Sequence, residues 1–313
     1  MRKLEAVKSV RLTKVYRGKE TVEALKGITL SIRKGELFTL LGPNGAGKTT
    51  FLRIISTQLL PTSGEAYVLG FNVLDEAEKV REHIAVVPQD VATYGNFTPW
   101  EYCYYFSLLR GMTKQKAKEV SERALKAVEL WELKNRTCAT LSGGEQKRAI
   151  IAAVLASNAE VLMLDEPTSG LDAIARRKVW GALREMVEQG KTILLTTHIM
   201  EEAEIVSDRL AIINKGELIA QGTVEEIKSL TKEKFRVMVE GNLKVLEKFS
   251  NNHSSVSFGS KRVIYVDNGD EAIELVRKAL KNGLKAEASP ITLEDVFVKL
   301  VGEVELNEHQ KND

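Results

Sequence analysis

The sequence predicts an α/β protein with a mixed β core and a helical subdomain, followed by a small α+β domain. Three observations predict it. An apolar run at 36–41 leads into a glycine-rich stretch at 42–50 and then a helical pattern from Phe51. Short apolar runs recur at 84–87, 161–166 and 192–197 between helical stretches, the pattern of buried, largely parallel strands. Past Lys234 short strands and helices follow in the order βαββαβ, the ferredoxin-like arrangement. The expected division is 1–228 with a helical subdomain at about 95–158, then 229–303, then a polar tail at 304–313.

Composition narrows the function classes. The 313 residues carry 45 basic and 43 acidic side chains, a net charge of +2, which gives no electrostatic reason to expect nucleic acid as a partner. Two cysteines, Cys103 and Cys138, form neither a disulfide framework nor a metal-ligand cluster and read as small buried hydrophobes. The first eight residues are charged where a signal peptide needs an apolar stretch. No apolar run approaches the ~20 residues of a membrane span. The expectation is a soluble, cytoplasmic chain; if it serves a membrane process, another chain supplies the membrane part.

Glu5 to Leu12 and Val22 to Ile32 read as strands joined by a turn at Gly18-Lys19. Tyr16 precedes that turn, and its ring suits either strand packing or stacking on a nucleobase. Gly42-Pro43-Asn44-Gly45-Ala46-Gly47-Lys48-Thr49-Thr50 matches G-x-x-x-x-G-K-[ST] between a strand and a helix, the context that makes the match credible. Its glycines let successive N–H groups turn inward toward phosphate oxygens, and the helix start adds positive potential. Lys48 places an ammonium between the β- and γ-phosphates of a nucleotide, and Thr49 offers a hydroxyl to Mg²⁺.

Gln89 follows the apolar run Ile84–Pro88 and, alone, reads as a surface polar residue. Thr98-Pro99-Trp100-Glu101 carries an N-cap, a proline at the first helical position and a capping-box glutamate. The helix it opens holds Tyr102, Tyr104, Tyr105 and Phe106, which read either as core of the helical subdomain or as a docking patch for a partner helix. Lys114 to Glu132 reads as one amphipathic helix. Ser142, Gly143, Gly144, Glu145 and Gln146 then open a helix expected over Lys147 to Ser157, forming a second anion-binding helix start. Val161 to Glu166 is an apolar strand ending in two carboxylates. Asp165 suits Mg²⁺, and Glu166 suits the general base that polarises an attacking water. Ser169-Gly170-Leu171-Asp172 is a turn. His198 stands at the end of the strand Thr192–Thr197, where ligands bind in open α/β sheets.

Tyr16, GPNGAGKTT at 42–50, Gln89, LSGGEQ at 141–146, VLMLDE at 161–166, SGLD at 169–172 and His198 occur in the order and spacing of the nucleotide-binding subunits of ABC transporters, which this chain resembles over roughly 5–225. LSGGEQ is the diagnostic piece. The resemblance implies ATP and Mg²⁺ as ligands and a P-loop ABC ATPase fold. It implies that Tyr16 stacks on adenine and that Gln89 touches Mg²⁺ and the attacking water and couples to the membrane partner. His198 is implied to contact the γ-phosphate. It also accounts for two anion sites. Subunits pair head to tail, so Ser142, Gly143 and Gly144 of one chain close over ATP held by Lys48 of the other, with Asp172 along the seam.

The extension past Lys234 is similar to that of multidrug and antibiotic exporter ATPases, notably in Ile291-Thr292-Leu293-Glu294-Asp295-Val296-Phe297 and around Thr98–Glu101. The partners implied are membrane-spanning permease subunits and a second copy or a paralogue of this chain, peripheral on the cytoplasmic face of the membrane. The alternative is a soluble ABC ATPase of an assembly machine, as in iron–sulfur cluster assembly. A DNA-repair or translation ATPase is disfavoured by the short segment between Gln89 and Leu141, the single nucleotide domain and the absence of basic excess. His253 and His309 read as isolated surface histidines, since a metal site needs several ligands.

Overall fold

The computed structural model describes residues 4–90, 93, 95–242 and 253–301. The chain divides into two compact units, Met1–Gln221 and Gly222–Asp313. The boundary expected after residue 228 therefore falls seven positions earlier, and the short helix Val224–Lys228 groups with the second unit.

In the first unit, β1 (Glu5–Arg17) and β2 (Thr21–Arg33) form a long antiparallel ribbon, and both run longer than the sequence suggests. With β4 (Ser63–Val68) and β5 (Phe71–Asn72) they make one sheet in the order β2-β1-β4-β5. The second sheet comprises β3 (Leu37–Leu41), β6 (Ile84–Val87), β7 (Val161–Asp165), β8 (Thr192–Thr197), β9 (Arg209–Asn214) and β10 (Glu217–Gly222), in the order β10-β9-β3-β8-β7-β6. Strands β9, β3, β8, β7 and β6 pair in parallel. Every residue of β3, β7 and β8 is buried, which explains their uninterrupted apolar runs. Alternate residues feed two cores. Leu162, Leu164, Ile193 and Leu195 join the helical layer, whereas Phe38, Leu40, Val161, Met163 and Leu194 pack toward the antiparallel sheet.

The helical subdomain packs α3 (Pro99–Leu109), α4 (Lys114–Ala127) and α5 (Gly143–Ala156) against one another. The capping box predicted at Thr98 and Glu101 is present. Two expectations are corrected here. The helix expected to run to Glu132 stops at Ala127, because Glu129 turns left-handed (φ 56°) and lets Leu130 bury completely before a short 3₁₀ turn at Trp131–Leu133. Helix α5 begins at Gly143 rather than Lys147, because Ser142 caps it and Glu145 closes a capping box. Both cysteines are buried and free, as expected, and burial raises the pKa of each thiol.

The second unit holds β11 (Phe235–Glu240), β12 (Ser255–Phe258), β13 (Lys261–Val266) and β14 (Lys285–Pro290) in the antiparallel order β12-β13-β11-β14. Strand β13 lies between β11 and β12, and β11 between β13 and β14, the split arrangement of ferredoxin-like units. The helix Gly269–Lys281 buries Ala272, Leu275 and Ala279 against Val237, Val239, Ile264 and Val266. The expected helix Leu243–Asn251 and the tail 304–313 lie outside the described residues. Residues 293–301 are helical, opened by Thr292. Asp295 Oδ2 accepts from Thr292 N (2.8 Å) and Thr292 Oγ1 (2.7 Å), while Oδ1 accepts the Tyr265 hydroxyl (3.0 Å). Arg236 adds an ion pair at 3.4 Å. The TLED stretch is thus a lock between the last helix and the sheet. Among the described residues no helix is long and apolar enough to cross a membrane.

Asp295→Ala leaves the Tyr265 hydroxyl and the Thr292 N–H without an acceptor and should destabilise the second unit by about 2–3 kcal/mol. Amide exchange would then accelerate in β11 and β13 and stay unchanged in β3, β7 and β8. Unchanged exchange in β13 would show that the lock carries no stability.

Candidate active site

Parallel pairing places the carboxyl ends of β3, β8, β7 and β6 along one edge, where α/β sheets bind ligands. From β3 comes the loop 42–50. A Cβ on Gly42 would lie 2.1 Å from Ile213 O, and Gly47 sits at φ 106° with a virtual Cβ 2.4 Å from Ala24 O, so neither tolerates another residue. Gly47 precedes helix α1 (Lys48–Ile55), whose first N–H groups receive no side-chain cap. They face a cleft lined by Asn44, Gly45, Ala46, Lys48, Thr49, Thr50, Gln89 and Glu166, a donor-rich cradle suited to an anion. Pro43 also contributes, since its carbonyl accepts from Lys48.

Lys48 is buried. Its Nζ donates to Gly42 O (2.8 Å) and Pro43 O (3.1 Å) and lies 3.3 Å from Glu166 Oε1. Glu166 is buried at the end of β7 in the left-handed region (φ 46°), a strained setting for a residue with a Cβ. Its N–H donates to Thr196, at 3.1 Å to the carbonyl and 3.0 Å to the hydroxyl. His198 Nδ1 lies 3.1 Å from Glu166 Oε2 but off the direction of a hydrogen bond. The Glu166 carboxylate thus sits between a lysine ammonium and a histidine ring nitrogen. Asp165, also buried, accepts a short hydrogen bond from the Thr196 hydroxyl. Gln89 Oε1 lies 3.4 Å from Thr49 Oγ1. Hydroxyl, amide and carboxylate oxygens in this set are hard donors that fit Mg²⁺, which takes one or two protein ligands beside phosphate and water. Tyr16 is 40% exposed rather than packed away; its hydroxyl lies 3.4 Å from Thr50 Oγ1 and Lys14 Nζ sits 5.2 Å over its ring.

The residues 142–146 do not line this cleft. Ser142 and Gly143 are exposed at the start of α5. The Glu145 carboxylate accepts from Ser142 N (2.7 Å), a bond that lowers its pKa. Gln146 is held by Leu141 O (3.0 Å) and the Thr93 hydroxyl (2.6 Å). The side chains of Glu145 and Gln146 therefore shape their own helix start, leaving Ser142, Gly143 and Gly144 as its open face. Asp172 caps the helix α6 (Ala173–Glu188) through Ile174 N and Ala175 N (both 2.9 Å), bonds that lower its pKa.

Sequence reasoning missed two groups. Lys147 Nζ donates to Glu166 O (2.6 Å) and Ser169 O (3.2 Å), tying α5 to the turn after β7; burial lowers its pKa while Glu166 and Asp165 oppose the shift. Glu202, on the helix α7 (Met200–Val206), is fully buried and accepts three side-chain hydrogen bonds. Neither belongs to a motif that sequence alone singles out. Lys147 looks like one more charged helical residue, and Glu202 one of several acidic residues in MEEAE.

A family model for the ABC transporter matches residues 25–169. The chain is 36% identical over 292 residues to the Nod factor export ATP-binding protein I of Rhizobium etli, covering 93% of this chain and 92% of that protein. It is 38% identical over 224 residues to the daunorubicin/doxorubicin resistance ATP-binding protein DrrA of Streptomyces peucetius, covering 72% and 67%. It is 38% identical over 218 residues to the phospholipid-transporting ATPase ABCA3 of Homo sapiens, covering 69% of this chain; the chain spans 13% of that protein's length. A dimeric, post-hydrolysis structure of the ATP-binding cassette MJ0796 with ADP and Pi matches with TM-score 0.64 and 32% identity, over 69% of this chain and 98% of that one. Strand ends that bring Lys48, Asp165 and Glu166 to one edge, and identity running nearly the whole length of an export ATP-binding protein, agree: this chain belongs to the ABC transporter family, as an ATP-binding cassette.

Proposed function

We propose that this chain binds Mg²⁺–ATP and hydrolyses it to power an exporter whose membrane-spanning subunits are separate chains. The observation that carries the reading is the glycine-loop cleft lined by Lys48, Gln89 and Glu166, with His198 3.1 Å from the Glu166 carboxylate and Asp165 next to Glu166 at the end of β7. Export is favoured by the similarity to a Nod factor export protein and a drug-resistance protein.

The cradle N–H groups and Lys48 bind the β- and γ-phosphates, and Tyr16 offers its exposed ring to adenine. Thr49, Gln89 and Asp165 would hold Mg²⁺, which when bound would neutralise charge on the phosphate oxygens. Glu166 takes a proton from water as its oxygen attacks the γ-phosphorus; the bond to the bridging oxygen breaks, and ADP and phosphate leave. His198 donates to the γ-phosphate. A second copy set head to tail brings Ser142, Gly143 and Gly144 over the nucleotide, with Asp172 beside the seam, so ATP links the two chains and hydrolysis releases them.

The helical subdomain carries a surface of exposed apolar side chains: Phe97, Tyr105 and Leu109 are exposed, and Trp100 stacks on Tyr104 at 6.2 Å. We assign this surface to the membrane-spanning subunit, which holds the chain on the cytoplasmic face of the membrane.

Glu166→Gln should abolish turnover and leave a stable dimer with Mg²⁺–ATP in light scattering; a monomer under those conditions counts against the ATP-linked pair. Lys147→Met frees the Glu166 carbonyl and should lower kcat about tenfold while KM changes less than about twofold, with Lys147→Arg restoring most of the rate. Equal losses in kcat and nucleotide affinity would reject Lys147 as a support for the base. Affinity purification of the tagged chain from detergent-solubilised membranes should recover a multi-spanning protein without its own ATP site. Recovery only with soluble partners would overturn the exporter assignment.

A further inference from the structure

Glu202 is fully buried, and its three hydrogen bonds reach three different elements. Oε2 accepts the Thr197 hydroxyl at 2.6 Å. Oε1 accepts the Thr168 hydroxyl at 2.6 Å and Trp180 Nε1–H at 2.7 Å. Thr197 immediately precedes His198, and its hydroxyl oxygen also accepts Ile199 N–H at 3.1 Å, so one threonine holds the backbone on both sides of the histidine. Thr168 lies two residues past Glu166, inside the turn that Ser169 N closes on Glu166 O. A single carboxylate therefore pins the segment that carries His198 and the segment that carries Glu166. Its third bond, to Trp180 on α6, leads away from the cleft.

We propose that Glu202 is the positioning residue that sets His198 against Glu166, keeping the γ-phosphate contact and the base in register during hydrolysis. A buried carboxylate that only filled a core position would cost more than an apolar side chain of its size. Two of its three donors are the hydroxyls of Thr197, next to His198, and of Thr168, two residues past Glu166, and such a junction transmits a shift of one segment to the other. The inference rests on the hydrolytic reading of Glu166 and His198.

The three partners separate positioning from packing. Thr197→Val and Thr168→Val each remove one bond toward the site, and Trp180→Phe removes the bond that leads away. Purified full-length variants are measured for steady-state ATP hydrolysis, Mg²⁺–ATP affinity and thermal midpoint. The two threonine variants should each lose at least about tenfold in kcat with nucleotide affinity within about twofold of the parent. Thr197→Ser and Thr168→Ser, which keep the hydroxyl, should recover the rate. Trp180→Phe should lower the thermal midpoint and keep kcat. Glu202→Gln should retain more activity than Glu202→Leu, because an amide oxygen still accepts from Thr168 and Trp180. If both valine variants hydrolyse ATP at the parent rate, or if Trp180→Phe loses as much kcat as they do, Glu202 is a packing residue and the proposal fails. Glu166→Gln, run alongside, keeps the two ideas apart. Parent-like turnover in that variant overturns the reading of the site itself, whereas loss of turnover there with unaffected threonine variants overturns only the role of Glu202.

Discussion

The parallel pairing of β3 with β8, β8 with β7 and β7 with β6 is the constraint on which the rest of the first unit depends. Parallel strands end on the same edge, so residues far apart in sequence arrive together there: 42–50, Gln89, 165–166 and 198. The pairing holds because both faces of the sheet are buried, one by the helices and one by the antiparallel sheet. A register slip of one residue in β7 would send Leu162 and Leu164 to the wrong core and carry Asp165 off the edge. Core packing and site geometry therefore rest on the same registers.

Much of this was legible in the sequence because it is written in local signals. The glycine loop needs backbone conformations and close approaches that only glycine supplies, and Gly42 and Gly47 show both. The caps at Thr98 and Ser142 are read from residues three apart. The split arrangement of the second unit followed from the alternation of short strands and helices, and the sheet order agrees. Where the reading fell short, the deciding contact was distant. Nothing near Glu129 announces that the chain turns left-handed so that Leu130 can reach the core. Glu145 was grouped with the open face of the helix start, yet its carboxylate closes back on Ser142 N. Thr197 apart, the partners of Lys147 and Glu202 lie 19 to 34 residues away in sequence, and no periodicity or motif marks such pairs.

The polar groups of the first unit fall into two sets with opposite exposure. Lys48, Asp165, Glu166 and Glu202 are buried, and their partners are backbone carbonyls, hydroxyls and one another. Ser142, Gly143 and Asp172 are exposed, and the capping bonds at Ser142 and Asp172 fix the helix ends that carry them. Buried charges of this kind persist only where partners satisfy them, and they add rigidity more than stability. An exposed, capped helix start keeps its first N–H groups in a fixed direction while leaving them open to a ligand from another molecule. On the proposed reading, the first set holds the nucleotide and the second closes over it in the partner chain. Lys147 joins the sets within one chain, since it reaches from the helix that Ser142 caps to the carbonyl of Glu166.

That link bears on how turnover is timed. The Glu166 carboxylate lies 3.3 Å from Lys48 and 3.1 Å from His198, the two groups assigned to the γ-phosphate. Phosphate and carboxylate compete for the same cations, and a phosphate bearing more charge wins the lysine. The left-handed backbone at Glu166 limits how far the side chain travels, because its N–H stays on Thr196 and its carbonyl on Lys147. The backbone of the base is thus held from both sides. On the proposed reading, the helix that grips its carbonyl is the one whose open end meets the partner's nucleotide, so closure of the pair and alignment of the base would involve the same element.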